Sequence, residues 1–303
     1  MQAATSGAWM YGDPENHDLK AALAVHPGCG AENLVVGEGI DGLLGYLARL
    51  MIEAGTPVVT SLGAYPTFNF HVAGFGGTLH RVPYKGDLED PEALVAKAAE
   101  TGAKLIYFAN PDNPMGSWHT ASKVQAMIEA LPEGCLLLLD EAYADLAPPG
   151  TVPTIPADDP RVIRMRTFSK GYGLAGLRVG YAIAAPELIT AFDKVRNHFG
   201  MGRIAQAGAL AALQDQAWLA EVKTQVIHAR DQIADHGGRG IGIIRDHNHI
   251  ARFRFQKRTK NANDIGGIGE CGQRRHMALH RGHLVPAHHK FVLLPRHCQP
   301  LFV

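Results

Sequence analysis

The chain has 303 residues, 46% hydrophobic and 19% charged, the composition of an ordinary globular protein of about two domains. No apolar run approaches the roughly 18 residues of a membrane span, and Met1–Gly7 lacks the basic and apolar segments of a secretory signal. A cytoplasmic location is therefore expected, with free thiols at Cys29, Cys135, Cys271 and Cys298. The formal net charge of zero hides an asymmetry. Residues 236–303 hold 12 of the 29 Lys+Arg, 3 of the 29 Asp+Glu and nine of the sixteen His, a formal +9 against −9 for residues 1–235.

Short apolar runs and helical patterns alternate from Asn33 to about Ala185. The runs predict strands at Leu34–Val36, Pro57–Ser61, Thr78–Val82, Lys104–Ala109, Cys135–Leu139, Val162–Arg166 and Val179–Ala184. Between them Leu43, Leu44, Leu47, Leu50 and Met51 recur at helical spacing, after Gly37-Glu38-Gly39 and before Gly55 and Pro57. Ala93, Leu94 and Ala98, then Val124, Met127, Ile128 and Leu131, mark two further amphipathic stretches. This alternation predicts an α/β fold with a mostly parallel, helix-covered sheet, whose ligands collect at the carboxyl ends of its strands. From about Ile204 to Ala234 the pattern is helical, and His236-Gly237-Gly238-Arg239-Gly240 ends it. Little periodicity follows.

Four motifs sit where that rule directs attention. Leu136–Leu139 runs into Asp140-Glu141-Ala142-Tyr143. A carboxylate at the end of an apolar strand either caps a helix or needs a cationic partner. Asn110-Pro111-Asp112-Asn113-Pro114-Met115-Gly116 reads as turn punctuation or as an amide placed to hold a ligand oxygen. Thr167-Phe168-Ser169-Lys170 leads through a glycine-rich turn to Arg178. Lone lysines are mostly solvated, but one set among hydroxyls and glycines suits an imine-forming amine. Thr167, Ser169 and Arg178 are donors suited to a phosphate. Val35-Val36-Gly37-Glu38-Gly39-Ile40 is a strand–glycine–helix turn, either a tight turn or a phosphate cradle.

In order and separation these strings resemble fold type I, class I/II aminotransferases, and most closely the histidinol-phosphate aminotransferase branch, over residues 9–235. The resemblance implies the aspartate aminotransferase-like fold, with a large domain built on a seven-stranded, mostly parallel sheet. It implies pyridoxal 5'-phosphate as cofactor, and amino-acid and 2-oxo-acid substrates of the histidinol-phosphate or aromatic amino acid/2-oxoglutarate type. Lys170 then forms the Schiff base and shuttles the proton, and Asp140 pairs with the pyridinium nitrogen. Asn113 and Tyr143 hold the ring's 3-oxygen, and Tyr65 stacks on the ring. Thr167, Ser169, Arg178 and the amides of Glu38 and Gly39 bind the phosphate. Tyr11 matches a tyrosine that reaches the partner subunit's phosphate, which implies a homodimer with shared sites. No metal, nucleic acid or membrane partner is expected. A related lyase or decarboxylase on the same scaffold, or a chain that binds cofactor without turnover, are the alternatives.

Three departures bear on that expectation. Glu38 stands where the family has a small or neutral residue, so its side chain must turn outward or weaken phosphate binding. Only ten residues precede Tyr11, as though Met1 were an internal start and residues 1–32 the remnant of an arm. After Asp235 no string matches the arginine motif that clamps a substrate carboxylate; Arg252, Arg254 and Arg296 lack its context. The division expected is a cofactor-binding domain at 33–200, connecting helices at 201–235 and an aberrant basic, histidine-rich tail at 236–303, consistent with a frame slip near codon 235. Cys271, His276 and Cys298 give that tail no zinc-ligand spacing.

Overall fold

Each of the seven apolar runs forms a strand, with every boundary within one residue of expectation. The computed structural model describes residues 2–25 and 28–237. Its elements are α1 (Gln2–Thr5), α2 (His17–Val25), β1 (Leu34–Gly37), α3 (Gly39–Met51), β2 (Pro57–Ser61), α4 (Pro66–Gly74), β3 (Thr78–Val82) and α5 (Pro91–Thr101). There follow β4 (Leu105–Ala109), α6 (Ala121–Glu129), β5 (Leu136–Asp140), β6 (Val162–Thr167), β7 (Gly180–Ile183), α7 (Pro186–Asp193), α8 (Arg203–Gln214) and α9 (Gln216–Gly237). Apolar periodicity did not single out α4 or α7. Both start at a proline in the first helical turn, where a missing N–H costs nothing. The helical stretch after Ile204 is two helices, broken at Asp215. The tail expected to build no small domain lies, from residue 238 on, outside the described residues.

The strands form one sheet in the order β1-β7-β6-β5-β4-β2-β3. Only β7 runs antiparallel to its neighbours; the other pairings are parallel. Side chains alternate across the sheet, as a period of two requires. On β4, Leu105, Tyr107 and Ala109 face the core shared with Leu43, Leu44 and Leu47 of α3 and Phe68 and Val72 of α4. Ile106 and Phe108 face the opposite core, against Leu94 and Ala98 of α5 and Val124, Met127 and Ile128 of α6. Leu19 and Leu23 of α2 and Leu213 of α8 cover the β1–β7 end. Each fully buried leucine on these faces contributes about 1.5–3 kcal/mol.

The carboxyl ends of β2, β4, β5 and β6 come together, and a buried acid sits at the widest gap. β2 and β4 pair only at Val58 with Leu105 and Val59 with Ile106, then diverge. Glu89, 2% exposed, fills the opening. Its Oε1 accepts the Ala109 N–H at 3.1 Å, and Oε2 accepts the Ser61 hydroxyl. Burial, and then the charge of Asp112, push the Glu89 carboxyl up to about 8 from an ordinary value of 4.5. A group whose folded pKa is raised adds stability fully present below its unfolded pKa and lost as pH rises through its folded one. Glu89→Gln keeps an acceptor for Ala109 but cannot ionise. Its urea-unfolding stability is expected to stay nearly level from about pH 5 to about pH 8, where the parent's falls by about 2–4 kcal/mol. Equal slopes in the two proteins would refute the assignment.

Candidate active site

At the carboxyl ends of the parallel strands opens a cavity of about 220 Å³. Its wall includes eight of the eleven residues expected in the site: Tyr65, Asn113, Asp140, Tyr143, Thr167, Ser169, Lys170 and Arg178. They come from segments spread over more than a hundred residues and meet because β4, β5 and β6 are adjacent and parallel.

Asp140 ends β5 and is 7% exposed. It caps no helix: Oδ1 accepts the Ala142 N–H at 2.9 Å, and Oδ2 accepts the Tyr107 hydroxyl at 2.8 Å. Burial raises its pKa, against the pull of those two donors and of the Lys170 charge. Asp140 forms no ion pair among the described residues, so a buried carboxylate faces the cavity with no cation in contact with it. Next to it, Glu141 turns into the protein. Arg164 donates to it at 3.2 and 3.0 Å and Arg166 at 2.8 Å. Burial alone would raise the Glu141 pKa, but the two guanidiniums, Arg166 foremost, bring it below the usual carboxylate value.

Lys170 lies on a loop that closes on itself. Phe168 donates its N–H to Val179 O and Gly173 to Lys170 O, while Leu174 returns to Phe168 O. The Phe168 ring, fully buried, is held by Tyr172 and Tyr181 with centroids 4.8 and 6.0 Å away. The lysine Nζ stands 5.0 Å from the centre of the Tyr143 ring. The Tyr143 hydroxyl in turn accepts from Asn113 Nδ2 at 3.4 Å. Of the two strand-end asparagines, Asn110 is spent on structure: its amide donates to His119 O and Thr151 O, and its oxygen accepts from His119 N–H. Asn113 is the one that faces the cavity.

Opposite the lysine, Arg178 donates to Ser169 Oγ at 3.4 Å and Ala175 O at 3.2 Å beside the start of α3. Arg178 has φ of 54° and Gly39 φ of 78°, both in the left-handed region. The left-handed φ of Gly39 favours glycine, and a Cβ there would push aside the Arg178 guanidinium, 2.4 Å away. Gly180 is pressed as closely, since a Cβ there would meet the Gly39–Ile40 backbone at 2.7 Å. The result is a concave cluster of hydroxyl, guanidinium and helix N-terminus, which suits an anion.

Two expectations need correction here. Glu38 and Gly39 do not line the cavity; Ile40 and Asp41, further into α3, do. The Glu38 carboxylate turns outward, as an acid beside an anion site must, and accepts the Tyr46 hydroxyl at 3.1 and 3.0 Å. Thr167 was expected to donate to a phosphate. Its one hydroxyl hydrogen goes to Val179 O at 3.2 Å while its oxygen accepts Ser169 N–H at 3.0 Å, so it shapes the turn instead. Tyr11, expected at the partner's site and not at its own, is absent from this cavity's wall and 79% exposed, with its ring 4.9 Å from that of Phe199. The sequence reading missed Ile40, Asp41, Thr67 and Tyr107, all in the wall. The signal for Tyr107 was its place on the same face of β4 as Leu105 and Ala109.

The family model for aminotransferase class I and II matches residues 2–262. The chain belongs to this family. Among its members, histidinol-phosphate aminotransferase 1 of Mesorhizobium japonicum is 34% identical over 238 residues, covering 77% of this chain and 65% of that protein. The chain therefore spans slightly less than two thirds of that relative's length. A solved histidinol-phosphate aminotransferase of Sinorhizobium meliloti, in complex with pyridoxal-5'-phosphate, is 53% identical. It matches with a TM-score of 0.79 over 82% of this chain and 68% of that one. An aspartate aminotransferase mutant of Thermus thermophilus shares the fold, with a TM-score of 0.73 at 20% identity over 83% of this class I/II chain and 74% of its own. No helix among the described residues is long and apolar enough to cross a membrane.

Proposed function

We propose that this chain binds pyridoxal 5'-phosphate in the cavity and transfers an amino group between an amino acid and a 2-oxo acid. The histidinol-phosphate and 2-oxoglutarate pair is the substrate choice that its relatives' names support. One observation carries the reading: a single cavity holds an amine, a buried carboxylate with no ion-pair partner among the described residues, and an anion cradle. When bound, the cofactor supplies an electron sink for negative charge at the substrate α-carbon. Asp140 offers the charge that holds a protonated ring nitrogen. Asn113 and Tyr143 hold the ring's oxygen, and Tyr65 covers its face. Ser169, Arg178 and the backbone amides opening α3 hold the phosphate. Lys170 forms the covalent link and moves the proton at the substrate α-carbon. Residues 33–200 form the cofactor-binding domain and 201–235 the connecting helices. A second copy of the chain covers the exposed aromatics Trp9, Tyr11 and Phe199, bringing Tyr11 to the partner's site.

Borohydride labelling tests this reading. The full chain mixed with pyridoxal 5'-phosphate is expected to turn yellow, to bleach on reduction and to keep a phosphopyridoxyl group on Lys170 in a peptide map. Label on another lysine, or none on folded protein, would remove Lys170 from the site.

A further inference from the structure

We propose that Tyr107 is the positioning residue of this site: its hydroxyl fixes the Asp140 carboxylate and keeps the negative charge on it. The inference rests on the reading of Asp140 as the partner of the cofactor's ring nitrogen. Tyr107 pairs with Leu138 in the β4–β5 register, so Asp140 is the next residue but one on the same face. That diagonal neighbour is within reach of an aromatic side chain. The ring is 1% exposed and lies nearly flat on Phe68, with centroids 5.0 Å apart and planes at 15°. That stacking and burial hold the ring's orientation toward Asp140. With Ala142 N–H on Oδ1 and Tyr107 on Oδ2, both carboxylate oxygens are tied, and the group is fixed in plane as well as in place.

The chemistry follows from the direction of the bond. A phenol that donates to a carboxylate favours its charged form. Burial, then the Asp140 charge, hold the Tyr107 phenol far above its ordinary pKa, so the donor is present throughout the working pH range. The groups that bear on Asp140 are otherwise opposed. The charge of Glu141 disfavours its ionisation and Lys170 across the cavity favours it, while Glu89 and Asp112, whose own carboxyls the Asp140 charge pushes up, lie in the same buried cluster. Without the phenol, a proton shared between ring nitrogen and carboxylate moves toward Asp140. The ring then loses the positive charge that makes it an electron sink.

The test places the proton directly. The full chain is loaded with pyridoxal 5'-phosphate labelled with nitrogen-15 in the ring, and the ring-nitrogen resonance is compared among the parent, Tyr107→Phe and Phe68→Leu. The parent is expected at the pyridinium position and Tyr107→Phe displaced toward neutral pyridine, with cofactor held about tenfold more weakly, the equivalent of one pKa unit. Phe68→Leu, which loosens the packing but keeps the hydroxyl, is expected to stay with the parent. Melting curves of each variant report folding separately. A Tyr107→Phe resonance at the parent's position overturns the proposal even if cofactor binding weakens, since packing alone then explains the loss. A parent whose bound ring nitrogen is unprotonated overturns the reading of Asp140 and this inference with it.

Discussion

Lys170→Ala is expected to abolish the borohydride-fixed label and to slow the amino-donor half-reaction by roughly 10⁴-fold or more. On the proposed function the substitution removes both the covalent attachment and the base that moves the α-proton, Lys170 being the only amine among the described residues of the cavity wall. It leaves the surrounding loop intact, because Phe168, Gly173 and Leu174 hold that loop through backbone bonds and a buried ring. The half-reaction is followed as loss of the cofactor's visible absorbance after an excess of donor, with free cofactor removed beforehand. Lys123→Ala is the comparison. That lysine pairs with Glu92 on the surface of α6, and its loss is expected to change neither label nor rate. A Lys170→Ala protein that bleaches at the parental rate would assign the proton transfer elsewhere.

Glu141→Ala is expected to cost about 3–5 kcal/mol of folding stability. Glu141 is buried between Arg164 and Arg166, and removing it strands two guanidiniums in the interior. A domain stable by about 5–15 kcal/mol cannot readily absorb that. Asp159→Ala breaks the ion pair with Arg161, whose side chain is 45% exposed, and is expected to cost at most about 1 kcal/mol. Urea denaturation of both variants against the parent makes the comparison. The pH dependence carries a second sign. Because the net shift of Glu141 is downward, its stabilisation is present above the unfolded carboxyl pKa and lost as pH falls through its folded value. Equal costs for the two variants would show that the buried triad is no stronger than a surface pair.

Strand positions were legible in the sequence because each is a local run of apolar residues that water disfavours, wherever the rest of the chain lies. Lys170, Asp140, Asn113, Tyr143, Ser169 and Arg178 were legible for a related reason. All but Arg178 sit at or within a few residues of a strand's carboxyl end, where a parallel sheet must place its ligand, and each belongs to a short string distinctive in order and spacing. Where side chains point was not legible. The outward turn of Glu38 depends on Tyr46 lying two helical turns along α3, and the loss of Thr167 as a donor depends on Val179 returning beside it in the antiparallel pair. The part of Tyr107 depends on the register that sets it against Leu138, and that of Glu89 on β2 and β4 parting after two pairs. Periodicity along the chain reports which face of a strand or helix is buried. Which hydroxyl meets which carboxylate is decided by the register and splay between segments distant in sequence, and only the folded sheet sets those.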